Sequence, residues 1–143
     1  MRIGRRALLV GPAALAAAAF AAPSDETGAF VERIYARGHA LPEELSARLR
    51  ALMAEDEARD ANRLDFDWLH GGQEEPVITE LAVHTLNVSG TASAAVQARF
   101  RYHGEERFRR FHLIREGGRW VVDDVRMHPE DLNLVEVLST GPR

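Results

Sequence analysis

The chain of 143 residues contains no cysteine. Disulfides, thiolate zinc sites, iron–sulfur clusters and a cysteine nucleophile are therefore excluded. It contains no lysine either, since all 18 basic residues are arginine, which excludes Schiff-base chemistry on an internal amine. No HExxH or HxxxH pair occurs among His39, His70, His84, His103, His112 and His128, so a zincin is excluded. There is no Gly-x-Ser-x-Gly elbow, no P-loop and no dinucleotide fingerprint. The hydrolase, nucleotide and oxidoreductase classes thus lose their usual markers. Basic excess is missing as well. Formal net charge is −4, so no overall field draws the protein to nucleic acid or to an anionic membrane.

What remains is an ordinary composition for one globular domain, with 45% apolar and 28% charged residues. The first segment, MRIGRRALLVGPAALAAAAFAAPSDE, has Arg2, Arg5 and Arg6 ahead of an apolar run from Ala7 to Ala22. A basic region followed by a short apolar one is the pattern of an export signal. The run is too short for a spanning helix, which needs about 20 apolar residues. Ala19-Phe20-Ala21 supplies a cleavage site, giving a signal peptide over 1–21 and a single exported domain over 22–143. Arg5-Arg6 before Ala7-Leu8-Leu9 fits both the twin-arginine and the general secretory route. Cleavage removes three arginines and no acids, leaving a more acidic mature chain. The expected location is periplasmic or secreted, with no stable membrane span after cleavage.

Along the mature chain, Phe30, Val31, Ile34 and Tyr35 follow helical spacing, and Gly38 stops the helix. A second helix is expected from Pro42, with Leu45, Leu49, Leu52 and Met53 inward and the charged Glu55-Asp56-Glu57 end in solvent. Residues 64–76 read as a loop. After Pro76 the period becomes two. Ala92, Ala94, Val96, Ala98, Phe100 and Tyr102 alternate with Ser93, Gln97, Arg99 and Arg101, marking a half-buried strand. Ser89-Gly90, His103-Gly104 and Gly117-Gly118 supply reversals. They divide the segment into strands at about 77–88, 91–102, 105–115 and 119–127. A last short helix is expected from Pro129, with Leu132, Val135 and Leu138 inward. The expected class is α+β: an N-terminal helical pair packed on a curved four-stranded antiparallel meander, with a short C-terminal helix.

Three stretches carry a likeness. They are Phe30-Val31-Glu32-Arg33-Ile34-Tyr35, Asp65-Phe66-Asp67 with Gln73-Glu74, and the run from Arg115 through Gly117-Gly118, Trp120 and Asp123-Asp124 to Val125. With the helix–sheet order, they resemble the nuclear transport factor 2-like α+β cone. More closely, they resemble an uncharacterised bacterial exported family, domain of unknown function 3828. The resemblance spans residues 28–140 and implies a cone-shaped fold and an exported life, but no reaction.

The candidate catalytic acids are Asp67, Asp123 and Asp124. Neighbours in a strand point to opposite faces, so Asp123 and Asp124 would not converge on one ion or proton. For Trp120, Val122 and Val125 all to point inward, one extra residue must sit between them as a β-bulge. The plainer expectation is that both acids end a strand and pair with Arg99, Arg101 or Arg126. Asp65 and Asp67 are expected in an Asx-type turn, with Phe66 and Trp68 plugging the sheet. Arg107, Arg109, Arg110 and Arg115, with Arg99 and Arg101, would form a basic stripe if aligned. The residues expected to bind a ligand are Tyr35, His70, Gln73, Trp120, Arg99 and Arg110. No metal or cofactor is expected.

Two functions follow. The first is an exported, non-enzymatic protein that binds a small ligand, peptide or envelope protein partner through the concave sheet. The second is an enzyme of hydrolase or isomerase type, with a cone-mouth aspartate as general base and Tyr35 or His70 orienting the substrate. Fold analogy is the sole support for the second.

Overall fold

The computed structural model describes residues 26–59, 63–64, 66–72 and 77–140. The leader over 1–21, and Asp65, Gln73 and Glu74, lie outside the described residues. Helix α1 runs through residues 26–37. Its Phe30, Val31 and Ile34 stripe is buried, as helical spacing requires. Gly38, at φ 91, closes it with a bond from its N–H to the Ile34 carbonyl (2.9 Å).

The second helix starts later than its proline suggests. Pro42–Glu44 form one 3-10 turn, and α2 spans Ala47–Ala58. Between them, Ser46 donates its N–H to the Val122 carbonyl (2.8 Å), and Leu45 bridges Val122 in parallel. The chain thus touches the sheet edge before it coils. The Ser46 hydroxyl then accepts from the Leu49 N–H (3.1 Å) and caps α2. The charged far end is not wholly in solvent. Asp56 is buried, and its carboxylate accepts from the Arg63 N–H (3.2 Å).

Among the described residues five antiparallel strands follow, not four: β1 (Ile78–Ser89), β2 (Ser93–Tyr102), β3 (Glu105–Glu116), β4 (Arg119–His128) and the two-residue β5 (Leu132–Asn133). They lie in the sheet in chain order. The fifth strand occupies part of the segment expected to be helical from Pro129. Asp131 has φ 60, outside helical space, and sends its N–H back to the Met127 carbonyl (2.8 Å). The chain therefore reverses there, pairs Leu132 with Met127 and Asn133 with Arg126, and only then enters α3 (Leu134–Ser139).

One face of the sheet meets the helices. Ala94, Val96, Ala98, Phe111, Leu113, Val122, Val125 and Met127 pack there against α1, α2 and α3 in one core, with Leu134 and Leu138 from α3. The opposite face carries the alternate residues, most of them exposed or half-buried. Strand β1 forms one edge. Bulges interrupt its pairing at Glu80–Leu81 and at Leu86, and Val77, Leu81, Leu86 and Val88 are exposed. Bulges on an edge strand disfavour further pairing.

Candidate functional site

The bulge required by Trp120, Val122 and Val125 is present. Leu113 pairs with Val122 and His112 with Asp124, leaving Asp123 as the extra residue. All three apolar side chains are consequently buried. The two acids do not end the strand, however, because β4 continues to His128. Nor are their partners the expected arginines. Asp123 receives the Arg48 guanidinium (Nη2 to Oδ2, 2.7 Å). Asp124 Oδ1 accepts the Val135 N–H (2.9 Å) and its neighbour Val125 N–H (2.8 Å). Asn133, at the N-cap of α3, makes no side-chain cap. Asp124 performs that task from across the chain.

Register places the open face in rows that cross the sheet. One row holds His84, Gln97, Arg110, Arg126 and Asn133; a second holds Asn87, Ala95, His112 and Asp124; a third holds Ala82, Arg99, Phe108 and His128. A depression of about 550 Å³ lies over the second row and its flanks, where Asn87, Ser93, His112, Asp123, Asp124 and Asn133 provide polar groups. On this face Arg99 is paired with Glu106 (2.9 Å), Arg101 with Glu80 (3.4 Å), and Arg126 with Asp131. Arg110 has no carboxylate partner among the described residues. Among these residues it bonds Gln97 Oε1 (3.3 Å) and lies over the Phe108 ring (5.8 Å), which itself stacks on His128 (4.7 Å). The expected basic stripe is therefore split. Arg99, Arg101 and Arg110 share the open face, whereas Arg107, Arg109 and Arg115 have the parity of the helix-facing side.

Arg109 is the centre of a second cluster, at the Tyr102 end of the sheet. Its side chain is 0% exposed. Nε donates to the Trp68 carbonyl (2.7 Å), and Nη1 to the carbonyls of Phe108 and His128 (3.0 Å each). Glu130 takes the guanidinium in a two-oxygen grip (3.2 and 2.7 Å). A buried cation persists only with such pairing. Alternation was the available signal in the sequence: Arg109 shares the parity of Phe111 and Leu113, which are plainly inward residues.

The turn over residues 66–72 closes this cluster. Asp67 Oδ1 accepts the Leu69 N–H (2.9 Å), the expected Asx-type turn, and the Gly71 N–H returns to the Asp67 carbonyl (2.6 Å). Phe66 and Trp68 pack on the core as plugs. Gly72 is required by contact, because a Cβ there would collide with the Tyr102 hydroxyl. Tyr35 donates to the Leu69 carbonyl (2.8 Å). Burial raises its phenol far above the usual range, which Arg109 opposes and Asp67 reinforces. His70 is 3% exposed and lies parallel to the Tyr102 ring at 5.8 Å. Burial pushes its imidazole below the ordinary value; Asp67 pulls it up, and Arg109 and Arg107 push it down.

The structure thus brings Tyr35, Asp67 and His70 together, and sets them apart from the rest. Trp120 lies elsewhere, donating to Glu26 Oε1 (2.8 Å) beneath the Arg115 guanidinium and lining a cavity of about 260 Å³. Arg99, Arg110, Asp123 and Asp124 belong to the open face or its edge. Among the described residues no three His, Asp or Glu side chains form a group fit to hold a metal ion, and no helix is long and apolar enough to cross a membrane. No family model, curated protein or solved structure matches the chain.

Proposed function

We propose that the protein is an exported, non-enzymatic binding protein of the nuclear transport factor 2-like α+β kind. In this reading it holds a small ligand, a peptide or an envelope protein partner on the sheet. The helix-facing side is filled by the apolar core, so the open face is the surface for this role. One observation carries the reading: a depression of about 550 Å³ over polar side chains, one sheet row from Arg110, which has no carboxylate partner among the described residues. The acids needed by a general-base enzyme already have structural partners: His70 for Asp67, Arg48 for Asp123 and the start of α3 for Asp124. Export rests on the basic-then-apolar leader.

Amide shift mapping tests the binding surface. Fractions of an envelope extract are added to the labelled chain. Shifts are expected at Ala95, Gln97, Arg110, His112 and Arg126. Shifts confined to α1 and α2 would move the site off this face. Intact-mass measurement on the secreted product tests the leader, with cleavage after Ala21 expected and an uncleaved chain contrary to it.

A further inference from the structure

Of the six histidines, His39, His84, His103, His112 and His128 are exposed, and His70 is buried. Its ring nitrogens are unequal. Nε2 lies 3.2 Å from Asp67 Oδ2, so the single proton of the neutral ring is assigned to the nitrogen facing that carboxylate. Nδ1 is buried, with no hydrogen-bond partner among the described residues. The neutral ring leaves only an unmet lone pair there, a smaller loss than an unmet donor on a charged ring. The protonated ring would place an N–H donor in the same spot with nothing to accept it, and an unmet buried donor is costly.

The charges around His70 make the same distinction. From its own turn comes Asp67, partly exposed. From β3 come Arg107, whose Nη1 bonds the His70 carbonyl (2.8 Å), and Arg109, held by Glu130 from the turn before β5. From β2 comes Tyr102, whose ring also carries the Arg107 guanidinium on it (4.4 Å). From α1 comes Tyr35, bonded to the adjacent Leu69 carbonyl. Among the described residues, two guanidiniums and one carboxylate therefore act on this histidine. Glu105 draws Arg107 outward (2.7 Å) without reaching His70.

We infer that the turn over residues 66–72 is a proton-operated latch: with His70 neutral it closes over Arg109 and Tyr35, and a proton taken up at Nδ1 drives the ring out and opens it. Opening releases the Trp68 and His70 carbonyls from Arg109 and Arg107, and leaves the sheet ladder intact. The sign follows from linkage. A free imidazole titrates near 6.5, and the closed state holds His70 below that. Closure is therefore fully favoured above about 6.5 and weakens as pH falls from there toward the lowered value. One proton sets the ceiling, about tenfold in the opening constant per pH unit.

Hydrogen exchange on the full chain measures this. Protection of the Asp67 and Gly71 amides, corrected for intrinsic exchange, is expected to fall up to about tenfold per unit between pH 6.5 and 5, while that of Val96 and Phe111 stays constant. His70→Phe keeps a flat ring against Tyr102 and takes no proton, so the latch amides should become pH-independent. Asp67→Asn keeps the turn's acceptor but removes the carboxylate that favours the imidazolium, so the fall should extend to lower pH. Should His70→Phe not fold, the wild-type imidazole resonance decides. The latch requires that His70 gain its proton only as protection is lost. Flat protection in the wild type would overturn the inference. So would loss shared equally with the ladder, or a pH dependence that survives in His70→Phe.

Discussion

Arg109 and Arg110 are consecutive residues of one strand, and they lie in opposite surroundings. Arg109 points toward the helices, fully buried, with three carbonyls and a carboxylate around its guanidinium. Arg110 points the other way, half-exposed, with one long bond to Gln97 and an aromatic ring beneath it. The same side chain is a structural rivet on one face and, on the other, a cation with no carboxylate partner among the described residues. The pair shows how the protein divides its sheet. The helix-facing side encloses its buried guanidinium in carbonyls and a carboxylate, while the open side holds a guanidinium with no carboxylate partner among the described residues.

Substitutions test that division, and the largest effect is expected for Arg109→Met. Removing it leaves Glu130 and three carbonyls without their donor, and breaking a buried pair costs about 3–5 kcal/mol. Arg109→Lys should recover only part of this, because an ammonium cannot copy the two-oxygen grip. Chemical denaturation reads both. Next comes Gly72→Ala, which forces the Tyr102 ring from its place beside His70. Overpacking of this kind costs about 1–3 kcal/mol, and the loss should appear in the same unfolding curve. Asp124→Ala removes the cap of a six-residue helix, a loss of about 1 kcal/mol, visible as faster amide exchange at Val135. Arg110→Gln is expected to change stability by under about 0.5 kcal/mol, yet to weaken whatever shifts the open-face amides.

Much of this division could be read in advance where the chain obeys one simple period. Ala94 to Tyr102 alternate cleanly, so the face of β2 was legible, and the parity of Trp120, Val122 and Val125 demanded the bulge that Asp123 supplies. Two further strands follow from the glycine-bearing turns at His103-Gly104 and Gly117-Gly118. The rest failed for identifiable reasons. Strand β5 is two residues long, too short for any period, and exists because Asp131 reverses the chain. Asp124 caps a helix eleven residues further on, a partnership of tertiary origin. Arg109 was obscured by its neighbours: in a run of arginines, charge suggests solvent more strongly than parity suggests burial. The scattered site residues failed similarly, since Tyr35, Asp67 and His70 converge at one end of the sheet while Trp120 and Arg110 lie elsewhere.

Urea unfolding of Arg109→Met beside Arg110→Gln tests the division of the sheet most directly. The midpoint of the first should drop by several times the experimental error, or the variant should fail to fold, while the second unfolds with the wild type. Equal losses in the two variants, or a greater loss at Arg110, would contradict an open face left free for binding.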